Sequence, residues 1–395
     1  MQETTKTTAV SGIASQRALI PLYGTAVFLY WVALYIYMPT LSVYAESKTD
    51  RLAWVGTVLA MYGLWQAVIR LPLGIAADWV GRRKPFIIAG FGVAGLGALT
   101  MGLANGLPGL IAGRSLTGFA AGVWVLLVVA FSSLFPPKQA VKASAILSVV
   151  TSVARLIATG LTGTLNNLGG YPLAFFAAVG AAGAAMLVML LVKEPQGEMQ
   201  PVSFKQVVAF VSQREVLLPA LLATVLMYGV WSSSFGFTPN LAKRLGAGDQ
   251  VLSLLTTLYV GVVMLGNFAT SATVERVGER TLVVIGFGCM ALGLGALAFA
   301  RSVPLVFAGQ ILMGMSSGIG YPVLMGLSIR DVDESKRATA MGFFQSVYAI
   351  GMFSGPWLSG VLADAIGLSG MFGITGIGCL ALGLFGAFKL APRRG

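Results

Sequence analysis

Three arginines, Arg70, Arg114 and Arg155, lie inside long apolar runs of this 395-residue chain. A guanidinium is costly in such surroundings unless it meets a wet cavity, a charged partner or backbone carbonyls. Its planar fork matches carboxylate and phosphate through two parallel hydrogen bonds. Arg70 ends a stripe of Tyr62, Gln66 and Arg70, at i, i+4 and i+8, that falls on one face of a helix. Two chemistries fit these residues. They could attract anionic or zwitterionic headgroups, or they could be structural ties to carbonyls, with Arg70 also free to snorkel toward a membrane surface.

Proton chemistry has few carriers. The chain has no His, and its 14 Asp and Glu fall in loops or at the ends of apolar runs. A proton carrier would have to be Glu46, Asp78 or Asp364, all at helix ends; for Glu46 and Asp364 the plainer reading is solvated end charge. The two cysteines, Cys289 and Cys379, sit in apolar runs and make neither a disulfide framework nor a CxxC site. No catalytic, metal or cofactor site is expected, and without GxxxxGK[ST] an ATP-driven pump is excluded. A membrane enzyme or receptor is the remaining alternative class, and the missing His argues against the enzyme.

The elements that must hold these groups follow from composition. Hydrophobic residues make up 56% of the chain and charged residues 10%, with a mean hydropathy of +0.84. A soluble domain carries about 25% charged residues, so an all-α polytopic membrane protein is expected. With about 20 apolar residues needed per crossing, the sequence predicts twelve spans: 19–44, 52–77, 85–104, 109–135, 143–165, 172–192, 216–242, 250–272, 281–300, 304–328, 338–363 and 369–390. Placing the N-terminus inside puts 18 of the 26 Lys and Arg in inner segments and five in outer loops, with the three arginines embedded. The positive-inside rule then sets both termini in the cytoplasm, in a cytoplasmic (inner) membrane. The formal charge of +12 is thus mainly a topology signal, and nucleic acid is not an expected partner.

The second half repeats the first. Gly74–Arg83 aligns with Ser271–Arg280 at an offset of 197, Gly113–Gly122 with Gly309–Gly318 at 196, and Gly163–Asn167 with Gly360–Asp364 at 197. The chain therefore divides into a tail (1–18), a six-helix bundle (19–192), a linker (193–215), a second bundle (216–390) and a short tail (391–395). In the linker, Val202–Val211 has apolar residues at helical spacing, which suits a helix on the inner membrane surface or an irregular amphipathic tether. The repeat sets Asn267, Gln310 and Met352 opposite Arg70, Arg114 and Arg155, so the embedded cations belong to one half only.

The loop Gly74-Ile-Ala-Ala-Asp78-Trp-Val-Gly81-Arg82-Arg83-Lys84 closely resembles the signature of the major facilitator superfamily, in spacing and in position after the second span. Gly81 permits a tight turn and the basic residues meet anionic lipid or carboxylates. The resemblance implies two pseudo-symmetric six-helix halves, with Gly74, Asp78, Gly81, Arg82 and Arg83 latching the inner gate; the loop could instead only anchor topology. Arg114, with Gly118 and Gly122, resembles the family's R-x-x-x-G motif, which implies a part in proton coupling for Arg114 and packing for the glycines. The family's cavity is lined by the first, fourth, seventh and tenth spans, flanked by the second, fifth, eighth and eleventh. On that pattern Tyr30, Tyr35, Tyr62, Gln66, Arg70, Trp124, Arg155, Tyr228, Trp231, Gln310 and Tyr321 are the substrate-binding candidates, with Trp31 and Phe235 among the neighbouring aromatics. The Gly-Pro run typical of drug antiporters is missing from the fifth span, and Gly351-Met-Phe-Ser-Gly355-Pro356-Trp-Leu-Ser-Gly360 in the eleventh has that character instead.

The expected activity is alternating-access transport of a small amphipathic molecule by a monomer in contact with membrane lipids, as proton-coupled efflux on resemblance to the drug-efflux branch. The alternative is a flippase or uniporter for an anionic lipid-like or organic-anion substrate, using Arg70, Arg114 and Arg155.

Overall fold

The computed structural model describes residues 3–136, 139–192, 213–330, 332 and 337–390. It is helical almost throughout, because a backbone crossing lipid must satisfy its own polar groups. The first span is α1 (Glu3–Tyr35) followed, after a two-residue break, by α2 (Met38–Glu46). The next spans are α3 (Leu52–Val80), α4 (Lys84–Gly102), then α5 (Leu107–Ala121) with α6 (Trp124–Ser132), and α7 (Ala140–Leu191). The second half has α8 (Arg214–Ser232), a π turn at Ser233–Phe237 and α9 (Thr238–Arg244) as one interrupted span. It continues with α10 (Asp249–Val277), α11 (Glu279–Ala298), α12 (Val303–Arg330) and α13 (Arg337–Lys389).

Ten segments among the described residues are long and apolar enough to cross a membrane, and two of them run for 50 residues. A straight helix of that length would reach about 75 Å, far beyond one bilayer. Each is interrupted by glycine outside helical geometry: Gly169 and Gly170 in α7, Gly367 in α13. The contacts show that the chain reverses there. Asn166 bonds to Asp249 while Lys84 reaches the carbonyl of Leu190, and Asp364 bonds to the start of α3 while Arg214 reaches the carbonyl of Lys389. Divided at those glycines, the ten described segments are consistent with the twelve crossings that the sequence predicts.

Glu46, Asp249 and Asp364 mark one end of the bundle; Lys84, Arg214 and Lys389 mark the other. The outer surface is apolar, with Leu168, Leu187, Phe299 and Ile377 all more than 60% exposed, as expected where lipid replaces water. The halves meet where α3 lies along α13 and where α7 lies along α10.

The repeat is visible in the packing. A Cβ on Gly118 would stand 2.8 Å from Tyr62 Cα in α3, and a Cβ on its counterpart Gly314 would stand 2.8 Å from Val262 Cβ in α10. Both glycines bring two backbones together where a side chain would part them. Pro39 and Pro239, at matching places in the two halves though 200 residues apart, lie in the first turns of α2 and α9 just after the breaks in the first and seventh spans, where a missing N–H costs nothing.

The linker residues 193–212, with the surface helix expected there, lie outside the described residues, as does the Asp78 side chain.

Candidate functional site

A cavity of about 350 Å³ lies between the halves, a volume suited to one small organic molecule. The first half contributes Trp31 and Tyr35 from α1, Tyr62, Gln66 and Arg70 from α3, Trp124 and Val128 from α6, and Ser144, Ser148, Thr151, Ser152 and Arg155 from α7. The second half contributes Met227, Trp231 and Phe235, then Tyr259, Met264 and Asn267 from α10, Tyr321 and Met325 from α12, and Met341, Gln345, Tyr348 and Met352 from α13.

The two walls differ in chemistry. Both charged lining residues, Arg70 and Arg155, are in the first half, and the five lining methionines are all in the second. Helical spacing builds the polar wall: Ser144, Ser148, Thr151 and Arg155 recur every three or four residues and so share a face of α7.

The cavity runs to Ser144 and Met341, each four residues from the start of its helix at the Lys84 end. The opposite end is closed by carboxylates working across the halves. Glu46 accepts from Arg244 Nη2 at 2.6 Å and from Asn240 Nδ2 at 2.6 Å. Asp364 accepts from the backbone N–H of Leu52 at 2.7 Å and of Ala53 at 3.0 Å, with Arg51 3.9 Å away. Those N–H groups are the first orphan donors of α3, so the carboxylate sits where the helix dipole favours negative charge. Asp249 accepts from Asn166 at 3.1 Å and pairs with Lys243 at 3.0 Å. Glu46 and Asp364, at this partly exposed rim, each hold a contact across the halves, together a clasp at that end.

The three embedded arginines are held in three different ways. Arg70 donates to Gln66 Oε1, to the carbonyl of Gln345 at 3.0 Å and to Tyr348 Oη at 3.2 Å, joining α3 to α13. Arg114 is fully buried behind the cavity wall, 4.1 Å from the Tyr62 ring centroid, with Tyr37 Oη at 3.5 Å and Met38 Sδ at 3.3 Å as its acceptors. Arg155 lies over the Trp31 ring at 4.0 Å and near Tyr35 at 5.1 Å. It donates no hydrogen bond to the described protein, and its Nε is buried without a partner.

Among the expected contacts, Tyr35, Tyr62, Gln66, Arg70, Trp124, Arg155, Trp231 and Tyr321 line the cavity, while Tyr30, Tyr228 and Gln310 do not. Tyr30 is buried and donates to the carbonyl of Ala120 at 2.9 Å. Tyr228 packs its backbone against Gly351 and Gly355 of α13, which gives the Gly-Pro run of the eleventh span a packing task. Gln310 is buried and accepts from Ser234 in the π turn at 2.7 Å. The sequence reading missed the α7 hydroxyls and Gln345 and Tyr348. The hydroxyls carried a signal, their helical register with Arg155; the α13 pair carried none until α3 was laid against it.

Comparison with known proteins follows the same line. The description Major Facilitator Superfamily fits residues 23–239 and again residues 220–395. The chain belongs to the major facilitator superfamily. It is 26% identical over 363 residues to the class C tetracycline resistance protein of Escherichia coli, covering 87% of this chain and 88% of that one. It is 24% identical over 381 residues to a chloramphenicol efflux pump of Mycobacterium tuberculosis (strain CDC 1551 / Oshkosh), covering 92% and 90%. The fold matches a bacterial homologue of the human lysosomal transporter Spinster, solved inward-facing and occupied, with a TM-score of 0.78, 14% identity and coverage of 95% and 96%.

As a major facilitator the chain is an integral membrane transporter of small molecules, related to efflux pumps, and not an enzyme. Its superfamily signature ends α3 at Gly81, whose φ of 68° is the left-handed cap that glycine adopts at no steric cost. Gly74 has open space around its Cα, and Arg82 is exposed beyond the helix end.

Proposed function

We propose that this major facilitator exports amphipathic organic molecules by alternating access, coupled to protons, with both termini in the cytoplasm. On that orientation, which rests on the 18 inner against five outer cations, the Lys84 end is cytoplasmic and the cavity opens inward. The observation that carries the reading is the cavity between the halves, closed at the Glu46 end by contacts that belong to neither half alone.

No carboxylate lines the cavity among the described residues, so protons act at the rim. Protonating Glu46 or Asp364 removes the charge from a cross-half contact and frees the outer end to part. Arg114, buried without a carboxylate partner, supports the field in which this happens. On the cytoplasmic side Asp78, with Gly81, Arg82 and Arg83, latches the alternate state. In proteoliposomes loaded with tetracycline or chloramphenicol, an imposed pH gradient should drive uphill movement and its collapse should stop it. Flux indifferent to the gradient would remove proton coupling.

A second reading, uniport or flipping of an anionic lipid-like substrate, is favoured by the same missing carboxylate. It predicts downhill flux that a pH gradient leaves unchanged.

A further inference from the structure

The three arginines look equivalent in sequence and are not equivalent in the fold. Arg70 spends its fork on Gln66, Gln345 and Tyr348. Arg114 is sealed from the cavity by Tyr62. Only Arg155 both lines the cavity and donates no hydrogen bond to the described protein.

The Arg155 Cζ stands over the Trp31 ring at 4.0 Å and near the Tyr35 ring at 5.1 Å, contacts between a cation and aromatic rings. Such contacts give its N–H groups no oxygen acceptor, and those are the groups that fork onto an oxyanion. Arg155 is half-buried and faces the cavity, so an anion entering there meets a cation with no acceptor on the described protein. Ser148 and Ser152 stand on the same helix toward the Lys84 end and supply further hydroxyls along the path, while the Thr151 hydroxyl donates to the Ser148 carbonyl at 3.1 Å. Across the cavity, Met227, Met264, Met325 and Met352 present a flexible, polarizable surface that takes many apolar shapes.

We propose that Arg155 is the anion seat of the cavity, and that the transported substrate is an amphipathic organic anion with its carboxylate or phosphate on Arg155 and its apolar body against the methionine wall. This rests on the transport reading and names the substrate class for it. Arg70, whose fork is engaged by Gln66, Gln345 and Tyr348, and Arg114, behind the wall, are positioning residues rather than the anion seat. The cavity volume of about 350 Å³ suits a single-tailed organic anion.

The test uses the full chain in phosphatidylcholine nanodiscs, titrated calorimetrically with 4-phenylbutyrate, its amide and the corresponding amine. The carboxylate should bind about 10- to 100-fold tighter than the amide, as a charge-assisted fork adds to shared apolar contacts. Arg155→Gln should collapse that preference to within about threefold while amide affinity is kept, and Arg155→Lys should give an intermediate value, since the charge stays and the fork is lost. Arg70→Gln should lower the unfolding temperature, since it unties α3 from α13. If Arg155→Gln does not fold, the wild-type ratio and its fall in Arg155→Lys decide.

Equal affinity for carboxylate and amide, tighter amine binding, no carboxylate binding, or a preference that survives Arg155→Gln would each overturn the inference. Nanodiscs containing phosphatidylglycerol separate the two sources of the anion. Competitive displacement of the probe assigns the seat to a lipid phosphate, and unchanged affinity assigns it to soluble organic anions. The transport reading fails separately: a carboxylate that binds but crosses no faster than in protein-free vesicles removes transport and leaves the seat. Amines that cross without any carboxylate preference do the reverse.

Discussion

The two halves of this major facilitator share a fold and divide its chemistry. At repeat-related positions the first half has Arg114 and the second has Gln310, both buried. Each reaches back to the break in the preceding broken span: Arg114 to Tyr37 and Met38, Gln310 to Ser234 in the π turn. The geometry of a polar side chain bracing an interrupted helix is thus common to both, and only the charge differs. The same holds for the cavity walls, arginine and hydroxyls facing methionines. Backbone packing conserves the repeat because it depends on small residues at fixed places; side chains facing the cavity can diverge once substrate rather than protein is their partner.

The largest expected break falls on the shared packing. Gly118→Leu should abolish folding or transport, since even its Cβ would lie 2.8 Å from the Tyr62 backbone and overpacking costs about 1–3 kcal/mol or more. Gly314→Leu should do the same, because its Cβ would lie 2.8 Å from the Val262 Cβ and 3.1 Å from the Tyr259 carbonyl oxygen. Yield of monodisperse protein and its unfolding temperature measure both; tolerance of one substitution but not the other would deny that the halves pack alike.

Next comes the clasp. Asp364→Asn removes the charge from two hydrogen bonds to the start of α3, and a bond to a charged group contributes about 1.5–3 kcal/mol when fully protected. At this half-exposed rim a shift of about tenfold in the population open at the Glu46 end is expected. Hydrogen exchange should quicken at the amides of Leu52 and Ala53; unchanged protection would show that the halves meet there without help from the carboxylate.

Arg114→Gln makes the two halves alike. The variant should fold with an unfolding temperature equal to or above that of the parent, because a buried cation with a phenol and a thioether as acceptors is poorly compensated. A fall of several degrees would show that the charge braces the break. The smallest effect belongs to the methionine wall, where Met325→Leu should change probe affinity by no more than about twofold.

Much of the fold was legible because apolar length and charge placement are read directly against the bilayer. The apolar spans and the Gly81 turn follow from residues close together in sequence, and the repeat from motifs that recur at offsets of 196 and 197. The clasp was not legible, because Glu46 and Asp364 find Arg244 and the α3 amides only after the halves are assembled. Nor could spacing separate Arg70 from Arg155: both sit on polar helix faces, and what distinguishes them is Gln345 and Tyr348 beside one and two aromatic rings beside the other. Tyr30, Tyr228 and Gln310 were placed on the right spans, but rotation about the helix axis turned them into the protein.

The central claim is that the halves rock about the cavity, one end opening as the other closes. Spin labels at Asp50 and Gly248 report the Glu46 end, and labels at Lys142 and Thr273 report the Lys84 end; all four positions are exposed. With Cys289 and Cys379 replaced, distances are measured in nanodiscs with and without saturating 4-phenylbutyrate or tetracycline, at neutral and acid pH. Alternating access predicts that Asp50–Gly248 lengthens under the same condition that shortens Lys142–Thr273. Two distances that stay fixed, or that change together in one direction, would contradict it.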